Sequence, residues 1–328
     1  MPNRSCFAPD FIGIGAAKAG TTWLYQILQH HPQIWMTPYK EIDYFCATLG
    51  PRFSTPRRSR LMTDLMRPYW RRLVFQFLKQ IRTREDVQRL VWWLRFYLGP
   101  RNDRWYGSLF RSVPTGCVGG EISPGYMRCR EPDIRHMHAL APTAKLLFLI
   151  RDPVQRFWSE YTMYARGGIL DQRPAVALNY FNYRGKRQGE YLRTLCKYTQ
   201  YFRPEQILVI FYDAIAQQPA RLLAMVHEFL GVRSIPLDPA TLAERVHAAS
   251  HPLPCPEAVR ARVSSAYRPQ LETLARLFGG YAWDWLNSGP GAEDQGQAEQ
   301  AALERRPAIR LTQAHLHLLR QATQADDR

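Results

Sequence analysis

The sequence predicts an α/β fold built on a central, mainly parallel sheet, and three observations predict it. Lys145–Ile150 (KLLFLI) and Gln206–Tyr212 (QILVIFY) are unbroken apolar runs, as in strands buried on both faces rather than strands with one wet face. Segments with helical spacing alternate with such runs, the order in which helices cover a parallel sheet. Near the start, the short apolar run Phe11–Ile14 runs into a glycine-rich turn and then a helical pattern.

In chain order, Phe11–Ile14 is the first strand and Thr22–His30 the first helix. Residues 51–110 break the alternation. They hold 14 Lys+Arg against 4 Asp+Glu, and 12 of the 41 aromatics. Helical periodicity over Arg71–Leu98 makes this window a basic, aromatic helical insertion. Pro132–Leu140 is the next helix, and Lys145–Ile150 the next strand. Val154–Ala165 follows as a helix, with Pro153 at its first turn, where a missing N–H costs nothing. Gln206–Tyr212 is a strand. Ala214–Leu230 reads as one helix stopped by Gly231. From residue 289 the chain is polar and linker-like, and Ala308–Ala322 reads as a terminal helix outside the core. The expected organisation is one domain over residues 1–288 and a polar tail over 289–328.

Composition narrows the function. The chain has 328 residues, 46% of them apolar, enough for a large core. Its net charge of +16 favours acidic partners: nucleic acid, anionic lipid, or a phosphate- or sulfate-bearing ligand. No nucleic-acid-binding motif accompanies the charge, so no nucleic acid partner is expected. The six cysteines form no C-x-x-C pair, which leaves neither a zinc site nor a disulfide scaffold and points to reduced thiols. No secretory leader and no membrane-spanning run are readable, so a cytoplasmic protein is expected. Residues 51–110 serve either as a lid whose aromatics are core or, through Trp70, Trp92 and Trp93, as a peripheral membrane contact.

The most informative segment is Asp10–Leu24, DFIGIGAAKAGTTWL. Small residues between a strand and a helix let backbone N–H groups close around an anion, and the helix N-terminus adds partial positive charge. The nucleoside-triphosphate loop is G-x-x-x-x-G-K-[ST]. Gly15 and Gly20 match its spacing and Thr22 its hydroxyl, but Thr21 stands where its lysine belongs, and Lys18 lies inside the loop. A small-molecule kinase on the same fold, the alternative reading, needs that lysine and a magnesium-holding carboxylate. After KLLFLI the chain instead places Arg151, then Asp152, Pro153 and, six residues further on, Ser159. An arginine at the carboxyl end of a parallel strand, with a hydroxyl on the following helix, fits a second phosphate.

Together these segments resemble the sulfotransferases that use 3′-phosphoadenosine 5′-phosphosulfate (PAPS). KAGTTWL is similar to the family's 5′-phosphosulfate loop, and RDPVQRFWSEY to its 3′-phosphate motif. PYKEIDYF (Pro38–Phe45) and GEISPGY (Gly120–Tyr126) resemble segments of its heparan-type and bacterial branch. Residues 206–214 and 274–285 resemble its late strand and its C-terminal element. The resemblance implies a P-loop-like three-layer fold and sulfuryl transfer from PAPS to a hydroxyl or amine of a small-molecule or glycan acceptor, without a metal. By position, Lys18, Ala19, Gly20, Thr21, Thr22 and Trp23 would hold the 5′-phosphosulfate, and Arg151 and Ser159 the 3′-phosphate. Gly189 and Tyr191 would serve the adenine side. Glu41 would be the general base and Lys18 the cation at the leaving group. Asp43 is a second carboxylate in that segment; His30, His31 and His136 fall in no matching motif. Two features depart from the family: Ile122 replaces a lysine usual in heparan-type members, and Ser250–Pro254 stands in the approximate place of a late glycine-rich loop.

Overall fold

The computed structural model describes residues 8–46, 83–171, 173–243, 253–288 and 305–326. Six strands form one sheet: β1 (Phe11–Gly15), β2 (Ile34–Met36), β3 (Val118–Ile122), β4 (Lys145–Ile150), β5 (Ile207–Phe211) and β6 (Ala308–Arg310). Their order is β2-β3-β1-β4-β5-β6. The first five are parallel to their neighbours, and β6 joins β5 antiparallel. This is the expected mainly parallel α/β sheet. β4 and β5 are buried along almost their whole length, as their unbroken apolar sequences require.

The sheet fixes where a ligand can sit. From β1 the chain first builds outward to β2 and β3, then crosses to β4 and β5 on the other side. The carboxyl ends of β1 and β4 therefore flank the point where strand order reverses, the crevice in which open α/β sheets bind ligands. The glycine-rich turn leaves β1 there, and Arg151 leaves β4.

β2 and β3 escape a sequence reading. β3 is VGGEI, in which two glycines and a glutamate mask the apolar pattern. The glycine is required by close packing: a Cβ on Gly120 would lie 2.5 Å from the ring of Phe11, its register partner on β1.

Two expectations are corrected. The stretch read as one helix, Ala214–Leu230, is two, Asp213–Gln217 and Pro219–Leu230. Pro219 lacks an N–H and disfavours helical backbone at the residue before it, and Gln218 sits at φ −142°, ψ 48°. The terminal segment is not a helix outside the core. Ala308–Arg310 forms the edge strand, Gln313–Asp326 the helix, and Ala308, Leu311 and Leu319 are fully buried.

Of the insertion, residues 51–82 lie outside the described residues, Trp70 among them. The helix Arg84–Leu98 begins with a capping box, Thr83 and Asp86 exchanging hydrogen bonds. Trp92, Phe96, Trp105, Tyr106 and Phe110 are buried, so these aromatics are core. Among the described residues, no helix is long and apolar enough to cross a membrane.

Candidate active site

The loop between β1 and the helix Thr21–Gln29 is shaped by its backbone. Gly20, the N-cap, has φ 87°, and a Cβ there would meet Ile215 Cδ1 at 2.3 Å. Only glycine fits both restraints. No side chain caps this helix, which leaves its first-turn amides to an anion. Lys18 adopts a left-handed backbone at φ 67°, a conformation that costs a non-glycine residue and concentrates at functional sites. Ala19, Thr21 and Trp23 are buried. The Trp23 indole donates to the Leu242 carbonyl at 3.3 Å, so this residue anchors the helix from behind the loop. Thr22 is half-buried.

The two segments singled out as phosphate motifs meet here. Arg151 donates from Nη1 to the Lys18 carbonyl at 3.2 Å and from Nη2 to Gln155 Oε1 at 3.3 Å. Its guanidinium lies 4.2 Å over the Tyr212 ring, a cation–π contact that holds the plane in place. Its Nε is buried with no hydrogen-bond partner, and a buried donor left unpaired is costly. Burial and the positive charge of Arg151 push the Lys18 amine below the ordinary lysine range, with Arg166 and Lys40 adding to the effect and Glu160 opposing it. Arg151, Arg166 and Lys40 thus converge on one partly desolvated ammonium beside an orphaned guanidinium N–H. The residues fit an anionic group, which would relieve both strains.

The remaining assigned residues take distinct places. Ser159 is half-buried on the helix Pro153–Arg166, and its hydroxyl makes no hydrogen bond among the described residues. Its neighbour Trp158 donates to the Leu253 carbonyl at 2.7 Å, which draws part of the segment 250–254 to this helix. Asp152 is the helix cap, its Oδ1 accepting from the Val154 and Gln155 amides at 2.8 and 3.4 Å. Tyr191 is fully buried, and its hydroxyl donates to the Arg151 carbonyl at 2.7 Å; it steadies Arg151 from behind. Gly189 is covered by Tyr267, whose hydroxyl lies 2.4 Å from where a Cβ would stand.

The carboxylate side is assembled from farther afield. Glu41 is half exposed and pairs with Lys40 at 2.9 Å. It is left-handed at φ 66°, as is Asp43 at φ 51°. Three bonds staple this strained segment to the chain after β3: the Glu41 amide to the Ile122 carbonyl (3.1 Å), the Asp43 amide to Ser123 Oγ (3.1 Å) and the Tyr44 amide to the Tyr126 hydroxyl (2.9 Å). Arg101 adds a bond to the Asp43 carbonyl.

Beneath the staple lies Glu121, fully buried. Its Oε1 accepts from Tyr106 (2.7 Å) and Tyr126 (2.9 Å), and its Oε2 from Ser123 (2.6 Å). Burial raises its carboxyl above the ordinary glutamate range against the pull of these three donors. Sequence reasoning found GEISPGY as a motif but not this role. The motif folds on itself, and its two hydroxyls carry the backbone of residues 43 and 44. Ile122 is fully buried and packed against Gly13. His136 lies beside Tyr44, 2.8 Å from Asp103 Oδ1, which also accepts from the Tyr44 hydroxyl at 2.5 Å.

A parallel sheet with an uncapped helix behind a strained lysine loop, and an arginine from the neighbouring strand, is an α/β arrangement that fits an anionic group. Comparison with known proteins agrees. The profile described as "Sulfotransferase family" matches residues 9–236, and the chain belongs to that family. It is 29% identical over 142 residues to human heparan sulfate glucosamine 3-O-sulfotransferase 6, a match covering 41% of each chain. Against human heparan sulfate glucosamine 3-O-sulfotransferase 3B1 it is 28% identical over 147 residues, 41% of this chain and 36% of that one. The match therefore spans about two fifths of these relatives' length. The crystal structure of a sulfotransferase from Alicyclobacillus acidocaldarius superposes with a TM-score of 0.53 at 22% identity, covering 82% of this chain and 95% of that one. It shares the fold.

Proposed function

We propose that this protein transfers a sulfuryl group from PAPS to a hydroxyl of a carbohydrate acceptor. The observation that carries the reading is the meeting of Lys18 and Arg151, with the Arg151 Nε buried and unpartnered. When bound, PAPS supplies the sulfuryl group and departs as 3′-phosphoadenosine 5′-phosphate (PAP). The first-turn amides after Gly20, with Thr21 and Thr22, receive its 5′-phosphosulfate end, and Lys18 neutralises charge on the leaving oxygen. Arg151 and Ser159 receive the 3′-phosphate. Glu41 takes the acceptor hydroxyl proton as the new O–S bond forms. Its partner Lys40 orients the carboxylate, and the staple to residues 122–126 fixes the backbone that bears it. The names of the relatives, which act on heparan sulfate glucosamine, support a sugar hydroxyl as the acceptor.

The test is calorimetric titration with PAP and, separately, with ATP–Mg²⁺. The expected result is tight PAP binding, weak ATP–Mg²⁺ binding, and weakened PAP binding in Arg151→Ala. Preference for ATP–Mg²⁺ would replace this reading with the kinase alternative. Sulfate transfer from labelled PAPS to a panel of glycans then tests the acceptor class.

A further inference from the structure

The segment carrying Glu41 runs on to Cys46, and the motif carrying Glu121 leads to Cys129. Both cysteines are fully buried and free. Their sulfurs face each other 3.1 Å apart, although the residues are 83 positions apart in sequence. Ordinary packing does not require this, since a buried thiol is satisfied by apolar neighbours. The carbonyl of Cys129 accepts from Lys197 Nζ at 2.7 Å, and Arg128 and Lys197 bring positive charge near the pair, against Asp43. Burial pushes the Cys46 thiol well up against these cations, so the thiolate, the form that attacks a disulfide, forms when the segment opens.

We propose that Cys46 and Cys129 are a disulfide site that clamps the Glu41–Cys46 segment to the Glu121 motif. The reaction is exchange with a small-molecule disulfide such as oxidised glutathione. One cysteine loses its proton, and its thiolate attacks a glutathione sulfur, which forms a mixed disulfide and releases one glutathione thiolate. The second cysteine thiolate attacks the protein sulfur of that mixed disulfide and expels the second glutathione. The two cysteine protons end on the two glutathione thiols. Each cysteine sulfur gives up one electron, and the glutathione disulfide takes up both. The bond would join the two segments already linked by the staple at residues 41, 43 and 44, and would tie them where those hydrogen bonds end. The amide staple holds the base-bearing backbone in either redox state; the disulfide removes the freedom of that segment to open.

The test uses the full chain, incubated with oxidised glutathione, quenched by alkylation and digested with trypsin without reduction. The expected product is peptide 41–52 joined to the dipeptide Cys129–Arg130, with the loss of two hydrogen atoms. The oxidised protein should also melt at a higher temperature than the reduced one, and this difference should vanish in Cys129→Ser and in Cys46→Ser. Recovery of both peptides alkylated and separate, in a sample whose half-buried Cys117 has been glutathionylated, overturns the proposal. So does a melting difference that persists in either variant. Neither readout depends on PAPS, so failure here is separable from failure of the sulfotransferase reading.

Discussion

The two halves of the site are built by different means. The half around Lys18 comes from two local patterns: a turn with fixed φ values at Lys18 and Gly20 that runs into a helix start, and an arginine one residue past a strand, 133 positions from Lys18. The half around Glu41 comes from four separated stretches, around residues 41–46, 101–106, 121–126 and 136, joined by side-chain hydrogen bonds. Local, backbone-built patterns carry their geometry in their sequence. A site stapled by side chains from distant strands carries it in the packing.

That contrast can be broken experimentally. The largest effect is expected at Glu41, where Glu41→Gln should lower turnover by about 10²–10⁴-fold with PAP affinity unchanged by calorimetry. Turnover at the wild-type level would move the base elsewhere, Asp43 first. Next is Lys18→Ala, expected to cost roughly 10²–10³-fold in kcat, measured under PAPS saturation. Arg151→Ala should act mainly on binding, weakening PAP by about 1.5–3 kcal/mol, the worth of a hydrogen bond to a charged group. Equal losses in kcat and affinity across Glu41→Gln and Arg151→Ala would dissolve the division into halves.

Smaller effects sharpen the acceptor side. Ser123→Ala removes the bond that the Asp43 amide donates and the one that Glu121 Oε2 accepts, and should cost about 1–3 kcal/mol of stability in a urea melt. It should lower kcat more than PAP affinity, because the segment it loosens carries Glu41. Glu121 also predicts a pH trend. Its folded carboxyl is raised above the ordinary range, so the folded chain holds this proton more tightly than the unfolded chain. The resulting stabilisation is present in acid below the ordinary glutamate pKa and is lost as pH rises through the raised value. Glu121→Gln should flatten this slope between pH 4 and neutrality, measured as melting temperature against pH. An unchanged slope would assign it to other carboxyl groups.

Much of this was legible without coordinates. The buried strands β4 and β5, the loop around Lys18, and Arg151 at a strand end are local patterns, and the structure puts Lys18 and Arg151 in contact. Other elements were hidden. β3 is masked by two glycines that close packing requires, Gly119 against Val113 and Gly120 against the Phe11 ring. The break at Gln218 was readable from Pro219, but the apolar periodicity running through it outweighed that signal. β6 lies in a short segment whose strand character comes from pairing with β5, a partner about 100 residues away.

The sequence by itself determined the anion loop, the strand-end arginine and the class of fold, because each depends on backbone conformation within a few neighbouring residues. Only the tertiary structure decided that Glu121, Ser123 and Tyr126 hold the segment bearing Glu41, that Tyr191 steadies Arg151 from behind, and that Cys46 faces Cys129. Those roles depend on distances between residues far apart in the chain, and no local propensity encodes such distances until the sheet has brought the segments together.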